Sequence, residues 1–115
     1  AVSIDKIPKD MMIVDIGTKT TENFVSELNK CKTVFWNGPM GIFEIPEFAR
    51  GTKALANALA SLKATTVIGG GSTADVVTEL GLAGKMTHVS TGGGASVNFL
   101  GGEKLPGVEA LLDKK

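Results

Sequence analysis

Three glycine-rich breaks divide this sequence, and each of them follows a short apolar run. They are Asn37-Gly-Pro-Met-Gly41, Gly69-Gly-Gly-Ser-Thr73 and Ser90-Thr-Gly-Gly-Gly-Ala-Ser96. A strand that ends in glycines and leads into a helix exposes backbone N–H groups at the positive end of the helix dipole, where phosphate can bind. Three such strand ends in one small sheet predict a single site for a polyphosphate.

Apolar runs alternate with helix-like segments along the whole chain. Strands are predicted at residues 11–16, 33–36, 65–68 and 87–90, which are continuous apolar runs or runs rich in β-branched and aromatic residues. Helical spacing of apolar residues predicts helices at Thr18–Lys30, Pro46–Leu62, Thr73–Leu82 and Gly94–Leu100, with a last helical turn or two at Val108–Asp113. The alternation predicts an α/β fold with an open, parallel, Rossmann-like sheet and flanking helices. Because ligands of such sheets bind beyond the carboxyl ends of the strands, we expect the three breaks at one edge.

Composition limits the number of domains and the partners. The 115 residues are enough for one domain at most, and the slightly apolar mean hydropathy of +0.17 hints at a missing partner surface. Twelve basic residues balance twelve acidic ones, so no net field attracts nucleic acid or an anionic membrane. No apolar run approaches the roughly 20 residues that span a bilayer. Cys31 is the single cysteine, which excludes an internal disulfide and fits a reducing compartment.

The common nucleotide motifs are absent. No lysine follows Gly71 or Gly94, so the P-loop pattern fails, and the acidic residue of a dinucleotide fingerprint is missing after the next strand. This disfavours a nicotinamide-dependent dehydrogenase. His88 is the only histidine and has no partner nucleophile, so we interpret it as a structural, hydrogen-bonded residue.

The order of the longer motifs carries more information than each glycine break alone. Trp36-Asn-Gly-Pro-Met-Gly-Ile-Phe-Glu44, Gly69-Gly-Gly-Ser-Thr73, His88-Val-Ser-Thr-Gly-Gly-Gly-Ala-Ser96 and Leu105-Pro-Gly-Val108 follow one another along the chain. In this order they closely resemble the C-terminal part of the phosphoglycerate kinase family. Asp15-Ile-Gly17 fits the same family, so the resemblance covers essentially all of residues 1–115.

The resemblance implies part of a two-domain enzyme. Residues 1–115 would be the C-terminal portion of the nucleotide-binding domain, without the N-terminal domain that holds 3-phosphoglycerate. The family transfers a phosphoryl group reversibly between 1,3-bisphosphoglycerate and ADP, with Mg²⁺ bound to the nucleotide. The implied partners are small-molecule substrates and the rest of the same enzyme. The whole parent enzyme is expected to be a monomer located in the cytoplasm or in a plastid. Alone, the segment should not turn over, because it cannot close around both substrates.

The first break is expected to contact the nucleoside. By resemblance, Glu44 accepts hydrogen bonds from the nucleotide ribose, a role that suits a carboxylate because it only accepts. Asn37 contacts the nucleotide through its side-chain amide, and Gly38 and Pro39 form the turn beside it.

The second break is expected to bind the nucleotide phosphates. Gly70, Gly71, Ser72 and Thr73 match the family segment that wraps these phosphates at a helix N-terminus. Most members have aspartate where this chain has Ser72, and that aspartate contributes to magnesium binding. Since serine has no charge to offer the ion, we expect weaker binding of magnesium or ADP, with no metal ligand assigned in this chain. Asp75 is interpreted as a carboxylate that complements the helix N-terminus.

The third break is expected to meet the group in transfer. Gly92, Gly93 and Gly94 match the loop whose backbone N–H groups approach the transferring phosphoryl group, and Thr91 supplies a nearby hydroxyl. Backbone donors suit this reaction because it depends on positioning and charge stabilisation more than on a base. The alternative is a noncatalytic nucleotide-binding or scaffold fragment, in which the glycine turns serve folding alone.

Overall fold

A computed structural model describes residues 1–111. Its centre is a sheet of three parallel strands in the order β1-β2-β3, with β1 at Thr33–Asn37, β2 at Thr65–Gly69 and β3 at His88–Ser90. Trp36 lies beside Ile68, and Ile68 lies beside Val89. The predicted parallel α/β fold is therefore confirmed, and the carboxyl ends of all three strands meet at one edge.

Helices alternate with the strands: one precedes β1, one follows each of the three strands, and a short one comes last among residues 1–111. They are α1 (Thr18–Leu28), α2 (Arg50–Ser61), α3 (Gly71–Glu79), α4 (Gly94–Leu100) and α5 (Pro106–Glu109). The first four correspond to predicted helices, and α5 begins two residues earlier than predicted. Of the rest of that last prediction, Ala110 and Leu111 follow the end of the α-helix, and Leu112 and Asp113 lie outside the described residues.

The core lies between the sheet and the inner faces of α2 and α3. Ile68 of the central strand and Val77 of α3 are completely buried, and Ala56 and Leu59 of α2 pack in the same cluster. The small side chain of Ala56, which is completely buried, lets α2 pack closely within this cluster. In contrast, α4 has no buried residue, and Phe99 is 67% exposed.

A reciprocal pair of hydrogen bonds joins the starts of β2 and β3. The Thr66 N–H donates to Thr87 Oγ1 at 2.9 Å, and the Thr87 N–H donates to Thr66 Oγ1 at 3.1 Å. Thr66 is buried, so its hydroxyl serves an N–H group in a largely dry environment. The two threonines thus tie the amino ends of these strands together, opposite the glycine breaks.

The strand predicted at residues 11–16 is wrong. This segment has no regular secondary structure, and Met11, Met12 and Ile13 are 66–76% exposed. Its backbone is used differently, because the Val14 carbonyl accepts a hydrogen bond from the Ile42 N–H at 3.0 Å. An apolar run becomes a strand only where a neighbouring strand pairs with it, and residues 1–111 offer this segment none.

The helix predicted at Pro46–Leu62 is divided. A short 3₁₀ turn covers Pro46–Phe48, and the α-helix begins at Arg50. Ala49 separates them with φ −101° and ψ 1°. Pro46 begins the 3₁₀ turn, whereas the α-helix begins where the Asp15 carboxylate accepts a hydrogen bond from the Gly51 N–H at 2.9 Å.

Candidate functional site

The three glycine breaks come together at the carboxyl edge of the sheet. Gly70 and Gly93 approach so closely that a β-carbon on Gly93 would lie 3.2 Å from the Gly70 Cα. The Asn37 side chain reaches the same point, because a β-carbon on Gly70 would lie 2.9 Å from Asn37 Oδ1. The Gly70 N–H also donates to the Ser90 carbonyl at 3.0 Å. One residue from each break therefore contributes to a single location, as the sequence predicted.

The first break is held as a turn by groups outside it. The indole N–H of Trp36 donates to the Gly38 carbonyl at 2.7 Å, and the Gly38 N–H donates to Thr73 Oγ1 at 2.8 Å. Gly38 has φ +101°, a conformation that a residue with a β-carbon rarely adopts. Pro39 is half-buried within this turn. The hydrogen bond to Thr73 ties the first break directly to the second.

The second break opens α3 without a side-chain cap. Gly70 is the residue before the helix, with φ +97°, and no side chain caps the first turn. The first N–H groups of a helix have no partner within it, so this end can receive an anion. Gly71 and Ser72 are exposed there, whereas Thr73 is 1% exposed. Exposed backbone and the Ser72 hydroxyl thus face solvent, while Thr73 Oγ1 serves the neighbouring turn.

The third break is shaped by two serines. The Gly92 N–H donates to Ser90 Oγ at 3.2 Å, and the Ser96 hydroxyl donates to the Gly92 carbonyl. Both polar groups of Gly92 are therefore engaged, which leaves Gly93 and Gly94 to present their N–H groups at the start of α4. Thr91 is exposed beside them.

Two predicted residues lie at the surface without polar contacts. Glu44 is exposed, and within residues 1–111 no hydrogen bond reaches its carboxylate, so it is accessible to a ligand. His88 is also exposed, on β3, and its ring has no hydrogen-bond partner in the described part of the chain. The interpretation of His88 as a hydrogen-bonded residue is therefore wrong, because its strand directs the ring outward.

The sequence assigned no role to two residues that support the first break. The Asp15 carboxylate accepts hydrogen bonds from the N–H groups of Ile16 at 2.8 Å and Gly51 at 2.9 Å. Thr52, which is completely buried, accepts one from the Met40 N–H at 3.0 Å. Only the threonine's place on the buried stripe of α2 could have drawn attention to it, since threonine is a weak helix former.

Gly41 lies where the loop before α1 meets the first break. A β-carbon at this position would lie 2.5 Å from the Val14 carbonyl oxygen and 2.8 Å from Asp15 Oδ1. Such distances leave no space for a side chain. Gly41 is thus required by close packing between these two segments.

A cavity of about 260 Å³ lies between α1, β1 and α2, and Met40 of the first break is one of its lining residues. Its walls are mainly apolar side chains, including Phe24, Leu28, Trp36 and Leu59. An apolar surface of this kind offers no donors to a phosphate. The glycine breaks therefore remain the candidate site.

Residues 1–111 contain neither a protein-built cation site nor a helix that could span a membrane. Within residues 1–111, no three acidic, histidine or cysteine side chains are grouped closely enough to hold a metal ion. None of the helices described here is long and apolar enough to cross a bilayer.

Comparison with known proteins identifies the family. The sequence profile described as "Phosphoglycerate kinase" matches residues 1–103. The phosphoglycerate kinase of Pelotomaculum thermopropionicum is 58% identical over 113 residues, and that of Macrococcus caseolyticus is 55% identical over 115. These matches cover 98% and 99% of this chain but 29% of each relative, so the chain spans less than a third of their length.

Solved structures agree with the sequence comparison. The phosphoglycerate kinase of Coxiella burnetii superposes with a TM-score of 0.84 at 38% identity, covering 94% of this chain and 28% of the other. The enzyme of Pyrococcus horikoshii OT3 gives a TM-score of 0.79 at 43% identity, covering 89% and 25%. With sequence, fold and the order of the glycine breaks in agreement, this chain belongs to the phosphoglycerate kinase family.

Proposed function

We propose that residues 1–115 are the C-terminal portion of the nucleotide-binding domain of a two-domain phosphoglycerate kinase. The parent enzyme would transfer a phosphoryl group from the acyl phosphate of 1,3-bisphosphoglycerate to the terminal phosphate of ADP, giving 3-phosphoglycerate and ATP. The observation that carries the proposal is the meeting of Asn37, Gly70 and Gly93 at one sheet edge. Two of the three breaks there begin helices, whose N-termini suit the charge of a nucleotide.

Each of the three breaks would contact a different part of the bound substrates. Glu44 would accept hydrogen bonds from the ribose, and the Asn37 amide would contact the nucleotide beside it. Residues 70–73 would bind the phosphates through the exposed start of α3. Thr73 would support the site from its buried position, since its hydroxyl accepts a hydrogen bond from the Gly38 N–H and joins the first break to the second.

The third break would stabilise the phosphoryl group in transfer. Gly93 and Gly94 would contribute backbone N–H groups, with the Thr91 hydroxyl nearby, while Gly92, whose N–H donates to Ser90 Oγ, would hold the loop in place. Donors fixed before the reaction stabilise developing charge without reorganising, which is the main requirement of phosphoryl transfer. The engagement of Gly92 by Ser90 and Ser96 supports this role, because it fixes the first peptide of the loop.

The donors in this chain fit a magnesium ion that is held mainly by the nucleotide. Ser72 offers one exposed hydroxyl, and residues 1–111 contain no acidic cluster that could bind the ion alone. When bound, magnesium neutralises charge on the phosphate oxygens. We expect the loss of the aspartate that most members have at Ser72 to weaken this binding.

The remaining partners follow from the length of the relatives. A chain that spans 29% of them lacks most of the whole enzyme, so the acceptor substrate would bind to the rest of the parent protein. We propose a monomeric parent in the cytoplasm, or in a plastid. An exposed and unbridged Cys31 supports a reducing compartment.

Calorimetry and a coupled assay test the proposal. The parent protein is titrated with MgADP, with ADP alone and with NAD, and its turnover is compared with that of residues 1–115. We expect magnesium-dependent ADP binding, no NAD binding, and turnover by the parent alone. Absence of MgADP binding by the parent would support a noncatalytic scaffold instead. Robust turnover by residues 1–115 would refute the requirement for the rest of the enzyme.

A further inference from the structure

The turn that follows β1 has little internal support. Two hydrogen bonds lie within residues 41–45, from the Phe43 N–H to the Gly41 carbonyl at 2.9 Å and from the Ile45 N–H to the Ile42 carbonyl at 3.1 Å. The N–H groups of Gly38, Met40 and Ile42 are instead donated to groups elsewhere in the chain. The path of this turn is therefore set by what accepts those three groups.

Thr52 is the acceptor with the most restricted surroundings. It lies in the first turn of α2, is 0% exposed, and receives the Met40 N–H on Oγ1 at 3.0 Å. Water cannot easily replace a hydroxyl in such a place, so its loss would leave the Met40 N–H without a partner. The turn would then shift so that the Met40 N–H could donate a hydrogen bond to water.

The same helix end holds a second segment. The Gly51 N–H, one residue before Thr52, donates to the Asp15 carboxylate at 2.9 Å. Asp15 in turn lies against Gly41, which follows Met40. The start of α2 is thus bonded to Met40 directly and to Asp15, which packs against Gly41, so displacement of the turn at Met40 would also affect Gly41 and the residues that follow.

We infer that Thr52 is a positioning residue for nucleotide binding, acting through the Met40 N–H on the turn that carries Asn37 and Glu44. Thr52 does not touch the nucleotide. The inference rests on the proposed function, because the turn has this importance only if it contacts the nucleoside. The effect should fall on binding of ADP rather than on the transfer step, which takes place at the third break.

Matched threonine variants in the parent protein separate positioning from general stability. Thr52→Val removes the acceptor at nearly constant volume, whereas Thr52→Ser retains a hydroxyl. Thr66→Val removes a similar acceptor from another buried threonine, which serves Thr87 at the opposite end of the sheet. For Thr52→Val we expect the KM for ADP to rise about fivefold with little change in kcat. Thr52→Ser and Thr66→Val should keep a KM close to that of the unsubstituted enzyme.

The outcomes separate the positioning role of Thr52 from the proposed function of the parent enzyme. An unchanged KM in Thr52→Val, or equal KM shifts in Thr52→Val and Thr66→Val, would overturn the inference while leaving the proposed function intact. Failure of the unsubstituted parent to bind MgADP would refute both. If Thr52→Val does not fold, hydrogen exchange of the unsubstituted protein decides the matter. A Met40 amide that exchanges as fast as a solvent-exposed one would contradict its donation to Thr52.

Discussion

The Asp15 carboxylate accepts a hydrogen bond from the Gly51 N–H at 2.9 Å across 36 residues of sequence. Because no side chain from the residue before α2 caps this helix, Asp15 performs that task from a distant loop. Its charge also complements the positive end of the helix dipole. One hydrogen bond therefore supports both the helix and the loop before α1.

Removal of this remote cap should destabilise the fold. Asp15→Ala is expected to lower the free energy of unfolding by about 1 kcal/mol, as for other lost N-terminal caps. Asp15→Asn should lose less, because its amide oxygen can still accept the Gly51 N–H. Urea denaturation of both variants measures the effect. Asp10→Ala provides the control, since Asp10 is exposed and should change stability by less than about 0.5 kcal/mol. Equal losses in the two alanine variants would contradict the capping role.

Gly70 and Gly71 should respond oppositely to alanine. Gly70→Ala forces a β-carbon to within 2.9 Å of Asn37 Oδ1 at φ +97°, so a loss of about 1–2 kcal/mol is expected. Gly71 has nothing within 4 Å of such a carbon and lies in the first turn of α3. Alanine there should be neutral or slightly stabilising. Thermal and urea denaturation compare the pair, and equal destabilisation by both changes would argue against the Asn37 contact.

Restoring an acidic residue at position 72 should strengthen the magnesium-dependent part of ADP binding. Ser72→Asp adds a charged oxygen ligand at an exposed position, and magnesium prefers such ligands. We expect an affinity gain of about tenfold for MgADP but no gain for ADP in EDTA, where the added charge repels the phosphates. Calorimetry of the parent protein measures both. Ser72→Asn is the uncharged control, and the prediction fails if its MgADP affinity matches that of Ser72→Asp.

The role of Glu44 can be tested from the ligand as well as from the protein. If its carboxylate accepts a hydrogen bond from the ribose, Glu44→Gln should weaken MgADP binding about tenfold. The unsubstituted parent should also bind ADP more tightly than its 2′- or 3′-deoxy analogue, whichever hydroxyl is used. In Glu44→Gln that preference should diminish, because an amide oxygen accepts a hydrogen bond from the ribose more weakly than a carboxylate does. Glu47→Gln, also exposed, is the control. A preference that persists undiminished in Glu44→Gln would place the ribose elsewhere.

The sequence predicts local elements better than it predicts what they pack against. Strands β1 and β2 and the helices that follow them correspond to strong local patterns, and the glycine breaks indicated where the chain turns. The apolar run at residues 11–16 resembled these strands in composition. A pattern shows that residues favour burial but does not supply a partner, and here the Val14 carbonyl accepts a hydrogen bond from the Ile42 N–H instead.

The candidate site could likewise be predicted only in part from the sequence. Its convergence at one edge follows from parallel strand order, which the alternation of elements predicts. The supports of the first break could not be predicted, because Asp15 and Thr52 reach it through contacts that depend on three-dimensional packing. Helical spacing alone likewise could not place a break at Ala49.

Helix α4 has no buried residues, so it should unfold locally more readily than the core of the sheet. Residues that bury little apolar surface lose little stabilising free energy when they unfold, so the free energy of local unfolding varies along one fold. Amides of α4 should exchange hydrogen through frequent local opening, whereas those of β2, which hold Ile68 in the core, should exchange only when the whole sheet comes apart. The loop at Gly92–Gly94 lies between these extremes, anchored to the sheet at Ser90 and continuing into a helix whose local opening should require little free energy.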